Sequence, residues 1–289
     1  MKQKHNSQLA DFITQFKQNR MALLGGIIII VLVLVAIFAP QLSPHDPVKA
    51  SLDERLTGPC EKYPLGTDHL GRCVLSRLLY GARITLPVGI IVVGVAATIG
   101  IVLGIISGFY GRVLDEIIMR LVDAMLSFPT IFLALAIAGT LGPGFYNIII
   151  AIIVVEWTRY ARVMRSSILS VKESHYVEAA KSLGASDFYV VTRHILPNAI
   201  IPIVVVATLG MAPVILTAAS LGFLGFGVQP PTPEWGMMLS EGRLFMRKAP
   251  YLTIIPGLAI MVTILAFNLF GDGLRDALDP RAREKKIER

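Results

Sequence analysis

Residues 178–197 read EAAKSLGASDFYVVTRHILP. The stretch is charged and helix-prone, yet it lies between two long apolar runs of a chain otherwise suited to lipid. Its local chemistry reads as two short helices. Glu178–Leu183 is a good helix former, and Gly184 is placed to end it in a left-handed conformation. Ser186 can cap the next helix, with Asp187 favourable at its positive end. Phe188, Tyr189 and Val190 are poorly placed in water alone, and Pro197 closes the unit. A short helix pair with an apolar knob suits docking into a groove of another protein. The competing reading is an ordinary solvated connector.

The surroundings decide between these readings. The chain has 289 residues, 54% hydrophobic and 16% charged, with a mean hydropathy of +0.65. A soluble domain carries about 25% charged residues, so the deficit points to a membrane protein. Uncharged runs long enough to cross a bilayer core of about 30 Å recur along the sequence. Six spans follow, near 21–40, 84–108, 118–140, 147–165, 198–220 and 250–271. The first is too long for the apolar part of a cleavable signal and reads as a retained helix. LGPGFYN (141–147) reads as a hairpin between two spans, because Gly-Pro-Gly cannot continue a helix. GFLGFGVQPPTPEWG (222–236) reads as an external or re-entrant loop, with Trp235 beside Pro230, Pro231 and Pro233 as an interfacial anchor.

Lys and Arg placement orients the chain. With the N-terminus inside, the inner segments carry 18 of the 27 basic residues, and five acids offset the bases of the outer 41–83 loop. The expected organisation is a cytoplasmic tail (1–20), a first transmembrane helix (21–40), an extracytoplasmic loop (41–83), a transmembrane core (84–271) containing the loop 166–197, and a basic cytoplasmic tail (272–289). Both termini are then cytoplasmic. Much of the net charge of +7 is membrane orientation rather than a nucleic-acid footprint. Cys60 and Cys73 are too few for a disulfide framework, though one external bridge is possible.

The opening stretch thus falls on the cytoplasmic side between the fourth and fifth spans. Its spelling, EAA, three residues, Gly, then nine residues before the run ending Leu196-Pro197, resembles the EAA loop of ABC-importer permeases. His194 stands where that pattern has Ile. LGTDHLGRCVLSRLLYGAR (65–83), RLVDAMLSFP (120–129), GFLGFGVQPPTPEWG and FNLFGDGLRDALDP (267–280) resemble the dipeptide, oligopeptide and nickel branch of the same permeases. The resemblance implies an all-α membrane protein with six transmembrane helices and the type I importer permease fold. It further implies a second homologous permease as heterodimer partner, two cytoplasmic ATPase subunits and an extracytoplasmic solute-binding protein. ATP and Mg²⁺ would sit on the ATPases and no cofactor on this chain. The insert would be a coupling helix, with Glu178, Ala179, Ala180, Gly184, Leu196 and Pro197 as coupling residues. Small alanines permit close approach and Gly184 makes the turn; Glu178 is either a pairing group or a solvated carboxylate.

The chain has no GxxxxGK[ST] phosphate loop, and no HExxH or GxSxG, so it borrows its energy from partners and is not itself catalytic. A gradient-driven channel or carrier is the alternative, and repeated halves with broken helices would be its sign. For the translocation pathway the candidates are Glu156 and Asp123. Glu156 lies near mid-membrane, where an acid is costly and marks function. It either faces the pathway, favouring cations and ammonium groups, or pairs with Arg159 at i+3. Asp123 is expected beside Arg120. His69 and Cys73 are four apart, so on a helix they would share a face and both approach a soft metal. DHLGRC (68–73) resembles the nickel-type spelling, which leans the cargo towards nickel or a nickel chelate over short peptides.

Overall fold

A computed structural model describes residues 16–278. Ten α-helices account for its regular structure, and an isolated bridge between Thr67 and Cys73 is the only β pairing among the described residues. They are α1 (Arg20–Leu42), α2 (Val74–Ile105), α3 (Arg112–Leu126), α4 (Thr130–Leu141), α5 (Phe145–Lys172), α6 (His175–Ser182), α7 (Asp187–Tyr189), α8 (Leu196–Phe223), α9 (Trp235–Arg243) and α10 (Tyr251–Leu278). Of the expected tails 1–20 and 272–289, residues 1–15 and 279–289 lie outside the described residues.

Four helical segments are long and apolar enough to cross a membrane: Arg20–Leu42, Val74–Tyr110, Asp187–Phe223 and Tyr251–Leu278. The bent pair α3 and α4 counts as a fifth if it crosses as one broken span, the alternative being a re-entrant loop. The 28-residue α5 has the length, but Glu156, Arg159, Arg162 and Arg165 interrupt its apolar run. Where one straight span over 118–140 is expected, the chain turns by 92° between α3 and α4. The cause is SFP (127–129): Pro129 has no N–H to give, and it pushes Phe128 out of the helical region. The Gly-Pro-Gly hairpin forms as expected, with Gly142 at φ +81° and Gly144 at φ +149°.

α1 is the outermost span. Ile27, Ile30, Val31, Ile37 and Phe38 are exposed on it, which suits a helix solvated by acyl chains rather than water. It touches the bundle through Gly25, where an added Cβ would come within 2.7 Å of the Ala266 carbonyl of α10. The core is built on α2 and α5. Gly100 and Gly104 let the two backbones meet; a Cβ at either would lie 2.4–2.5 Å from the Cβ of Tyr160 or Met164. In lipid there is little hydrophobic drive between helices, so such close packing is what holds them. Val92, Ala96, Ile148, Ile152, Ala161 and Ile215 fill this core.

Two helices change pitch without ending. α2 runs into a π-helical turn at Ile106–Tyr110. α7 runs through a π-turn at Val190–Ile195 into α8. Pro197 therefore does not close the insert as expected. It sits in the first turn of α8, and the widened turn before it accommodates a residue that cannot donate to the preceding ladder. The insert is mechanically continuous with a span.

Candidate functional site

The insert 175–197 is ordered by local capping. α6 ends on Gly184 at φ +81°. The amide of Gly184 donates to the Lys181 carbonyl (2.9 Å) and that of Ala185 to the Ala180 carbonyl (3.2 Å). These two bonds satisfy carbonyls left over at the helix end and fold the chain back on itself. Ser186 accepts from the Tyr189 amide (3.4 Å) and starts α7.

The unit has two faces. Val177, Val190 and Ile195 are fully buried, sealing the inner side into the main core; Val190 is thus not part of the exposed knob. Leu183 is 88% exposed and Phe188 80%, with Tyr176 and Tyr189 half-exposed beside them. Ala179, Gly184 and Pro197 are exposed, and Ala180 and Leu196 are half-buried. Glu178 stands in solvent, 3.7 Å from an equally exposed His175, and does not tie the insert to the spans.

That tie is made by residues that no sequence motif singles out. Lys181 and Lys172 place their ammonium groups over the ring of Phe109, at 4.9 and 5.5 Å, and Lys172 also donates to the Phe109 carbonyl (2.6 Å). Each cation–π contact contributes about 0.5–1 kcal/mol where solvent is near. Phe109 belongs to the π-turn of α2. One turn away, Arg165 grips Asp115 with two bonds of 2.5 and 2.6 Å, and Ser107 donates to the same carboxylate. A displacement of α6 thus reaches α2, α3 and α5 together.

At the opposite end of α2 lies a buried charge cluster. Arg72 bonds Asp68 (2.6 Å) and Glu241 (3.0 Å), and Arg77 bonds Glu241 (2.9 Å) and reaches Asp68 (3.5 Å). Both guanidiniums are 1% exposed. Residues 68–73 form a turn with Gly71 at φ +76°, not a helix, so His69 and Cys73 do not share a helical face. His69 stacks on Phe245 at 5.3 Å, whereas Cys73 is buried and precedes α2. Asp68, His69 and Glu241 bring donor atoms within 4.8 Å of one another, but both carboxylates already neutralise arginines. Cys73 takes no part in that group. Cys60 and Cys73 are both free thiols.

Trp235 is not an interfacial anchor. It is 2% exposed, donates to the Leu78 carbonyl (2.9 Å), and packs so tightly on α2 that a Cβ at Gly81 would fall 2.5 Å from its ring. Glu234 precedes it, 3% exposed, accepting from the amides of Gly236 and Met237 at 2.8 and 2.9 Å. Burial pushes its carboxyl above the usual range, against the pull of those two amides.

The remaining candidates meet around a cavity of about 350 Å³ between α3, α4, α5 and α8. Glu156 lines it and is 8% exposed. Its carboxylate makes no hydrogen bond and no ion pair within 4 Å among the described residues, so of the expected pair with Arg159 only a through-space attraction is present. Asp123 pairs with Arg162 rather than Arg120; Arg120 lies 3.9 Å from Glu116 one turn earlier. Arg162 lines the cavity too.

The helical bundle resembles solved importers. It matches a crystal structure of an amino acid ABC transporter with histidines (TM-score 0.54, 16% identity, 68% of this chain and 91% of that one). It also matches an inward-facing MetNI methionine ABC transporter (TM-score 0.53, 16% identity, 70% and 97%). The fold is that of an ABC importer permease. Residues 100–284 match the binding-protein-dependent transport system inner membrane component, and residues 7–59 match the N-terminal transmembrane domain of oligopeptide transport permease C. Among relatives, the dipeptide transport system permease protein DppC of Alkalihalophilus pseudofirmus is 46% identical over 269 residues (93% of this chain, 88% of that one). DppC of Haemophilus influenzae is 45% identical over 282 residues (96% of each). The glutathione transport system permease protein GsiD of Pectobacterium atrosepticum is 43% identical over 274 residues (94% and 91%). The chain belongs to the inner-membrane permease family of binding-protein-dependent transport systems, in its peptide-type branch.

Proposed function

We propose that this chain forms half of the translocation pathway of an ATP-driven importer of short peptides. The insert 175–197 projects into the cytoplasm and seats in a cleft of an ATPase subunit. Nucleotide-driven closure of two such subunits then drives α6, and with it α8 and the Phe109 turn, between two arrangements. Both termini face the cytoplasm, a second permease completes the pathway, and an external binding protein delivers cargo. The observation that carries this reading is the two-sided insert: Val177, Val190 and Ile195 locked inside, Leu183 and Phe188 presented outside. A merely solvated connector has no reason to present two large apolar side chains on a capped, rigid scaffold.

Peptide cargo is supported by the transport systems after which the relatives are named. The lean towards nickel rests on the spelling DHLGRC and on Glu156, whereas the relatives reported above are named for dipeptides and glutathione. The test is uptake in cells lacking this chain, with and without its return on a plasmid. ATP-dependent accumulation of a labelled dipeptide that requires the chain supports the proposal. Chain-dependent uptake of Ni²⁺ without dipeptide overturns the cargo, and uptake persisting after ATP depletion overturns the importer in favour of a carrier. The α3–α4 break is one bent pair among the described residues, whereas a carrier would be expected to repeat such a break in its second half.

A further inference from the structure

We propose that the cavity between α3, α4, α5 and α8 is a transit site for the charged ends of a peptide, in which Glu156 receives the ammonium terminus and Arg159 the carboxylate terminus. This rests on the peptide-importer reading above and adds the residues that contact cargo within the membrane.

Three observations meet here. First, Glu156 lies eleven residues past the start of α5, about 16 Å along a helix, near the middle of a core of about 30 Å. A carboxylate held at that depth with no hydrogen bond and no ion pair within 4 Å, and only the through-space field of Arg159 to offset it, is costly, and it persists where it serves a pathway. Second, its neighbours have been assigned elsewhere and Arg159 has not. Arg162 is taken by Asp123, and Arg165 by Asp115. Arg159, on the same cavity wall, makes no ion pair among the described residues. Third, the rest of the polar lining is neutral. Thr130, Thr158 and Thr217 contribute hydroxyls, which serve amide groups of any sequence without selecting side chains.

The charges suit a zwitterion. A lone cation would be drawn to Glu156 and repelled by Arg159, and an anion would meet the reverse. A short peptide carries both charges and neutralises both walls at once. A volume of about 350 Å³ lies at the small end of ligand sites, in keeping with one or two residues held briefly. A transit site has to be weak, since cargo that binds tightly does not leave.

The test uses the whole transporter in proteoliposomes, with ATPases, second permease and binding protein, the last saturated with an alanyl dipeptide as free acid or as C-terminal amide. Glu156→Gln should lower uptake of both peptides about 10- to 100-fold, the worth of one charge-assisted hydrogen bond, and Glu156→Asp should recover part of it. Arg159→Gln should bring the ratio of free-acid to amide uptake to about one. Wild-type uptake by Glu156→Gln, or an unchanged ratio in Arg159→Gln, overturns the transit site and leaves the permease reading intact. Failure of the unmodified complex to move either peptide overturns the peptide reading itself. Should Glu156→Gln not assemble, Thr217→Cys supplies the readout: millimolar dipeptide should slow its modification by a thiol reagent added to the complex. Equal rates with and without peptide overturn the proposal.

Discussion

The turn at Gly184 offers the sharpest perturbation of the insert. Its φ of +81° lies in the left-handed region, and a Cβ built on it meets nothing within 4 Å. Any cost of substitution is therefore backbone strain rather than collision. That strain amounts to about 1–2 kcal/mol for an L-residue, is worst for a β-branched side chain and is least for Asn, which tolerates the region. Converted at 1.4 kcal/mol per decade, Gly184→Val should open the insert about 5- to 30-fold more often. Hydrogen exchange at residues 179–189 in the assembled transporter reads this directly, and dipeptide uptake should fall with it. Gly184→Asn should sit between wild type and Gly184→Ala, although Asn is the larger side chain. Exchange and uptake at wild-type level in Gly184→Val would refute the reasoning. So would a ranking by side-chain size, which would point to a clash with a partner instead.

Phe109→Leu keeps a large apolar side chain but removes the ring beneath Lys172 and Lys181. It should leave insertion intact and lower transport per ATP hydrolysed, measured as the ratio of peptide moved to phosphate released. Glu241→Gln strips a shared charge from Arg72 and Arg77. Breaking a buried ion network costs about 3–5 kcal/mol, so the variant should lose much of its thermal stability in detergent, read by size-exclusion fluorescence. In the loop between α1 and α2, Lys62 and Tyr63 hold the Glu54 carboxyl at about 2, well below its ordinary 4.5. A depressed folded-state value stabilises above the unfolded one and loses that contribution as pH falls from 4.5 towards 2. Loop protection against protease should fade over that window, and Glu54→Gln should flatten the dependence.

The membrane class, the Gly-Pro-Gly hairpin and the capped turn at Gly184 were legible because each depends on local chemistry: apolar length, a residue free to take positive φ, a hydroxyl before a helix. Failures came where a local breaker was passed over and where distant chain decides. The 118–140 run has the composition of a span, but Pro129 breaks it, and composition carries no record of a 92° bend. Spacing of four joined His69 to Cys73 on a helix, whereas Gly71 turns the chain there. Asp123 chose Arg162, 39 residues away, over Arg120 at i−3. Phe109 and Glu234 were missed for the same reason: a ring beneath two lysines and a buried cap acquire meaning only from contacts across the bundle. Pro197 misled in the opposite way, since a π-turn absorbs the defect that a proline normally imposes.

The central claim is that the insert meets a nucleotide-hydrolysing subunit. Cysteines at Ala180, Ser182 and Leu183, paired with a short bifunctional maleimide in native membranes, test it most directly. Capture of an ATPase subunit from those positions, altered in yield by trapping the nucleotide, is the expected result. Capture of no ATPase from any of the three, in membranes that still import peptide, would contradict it.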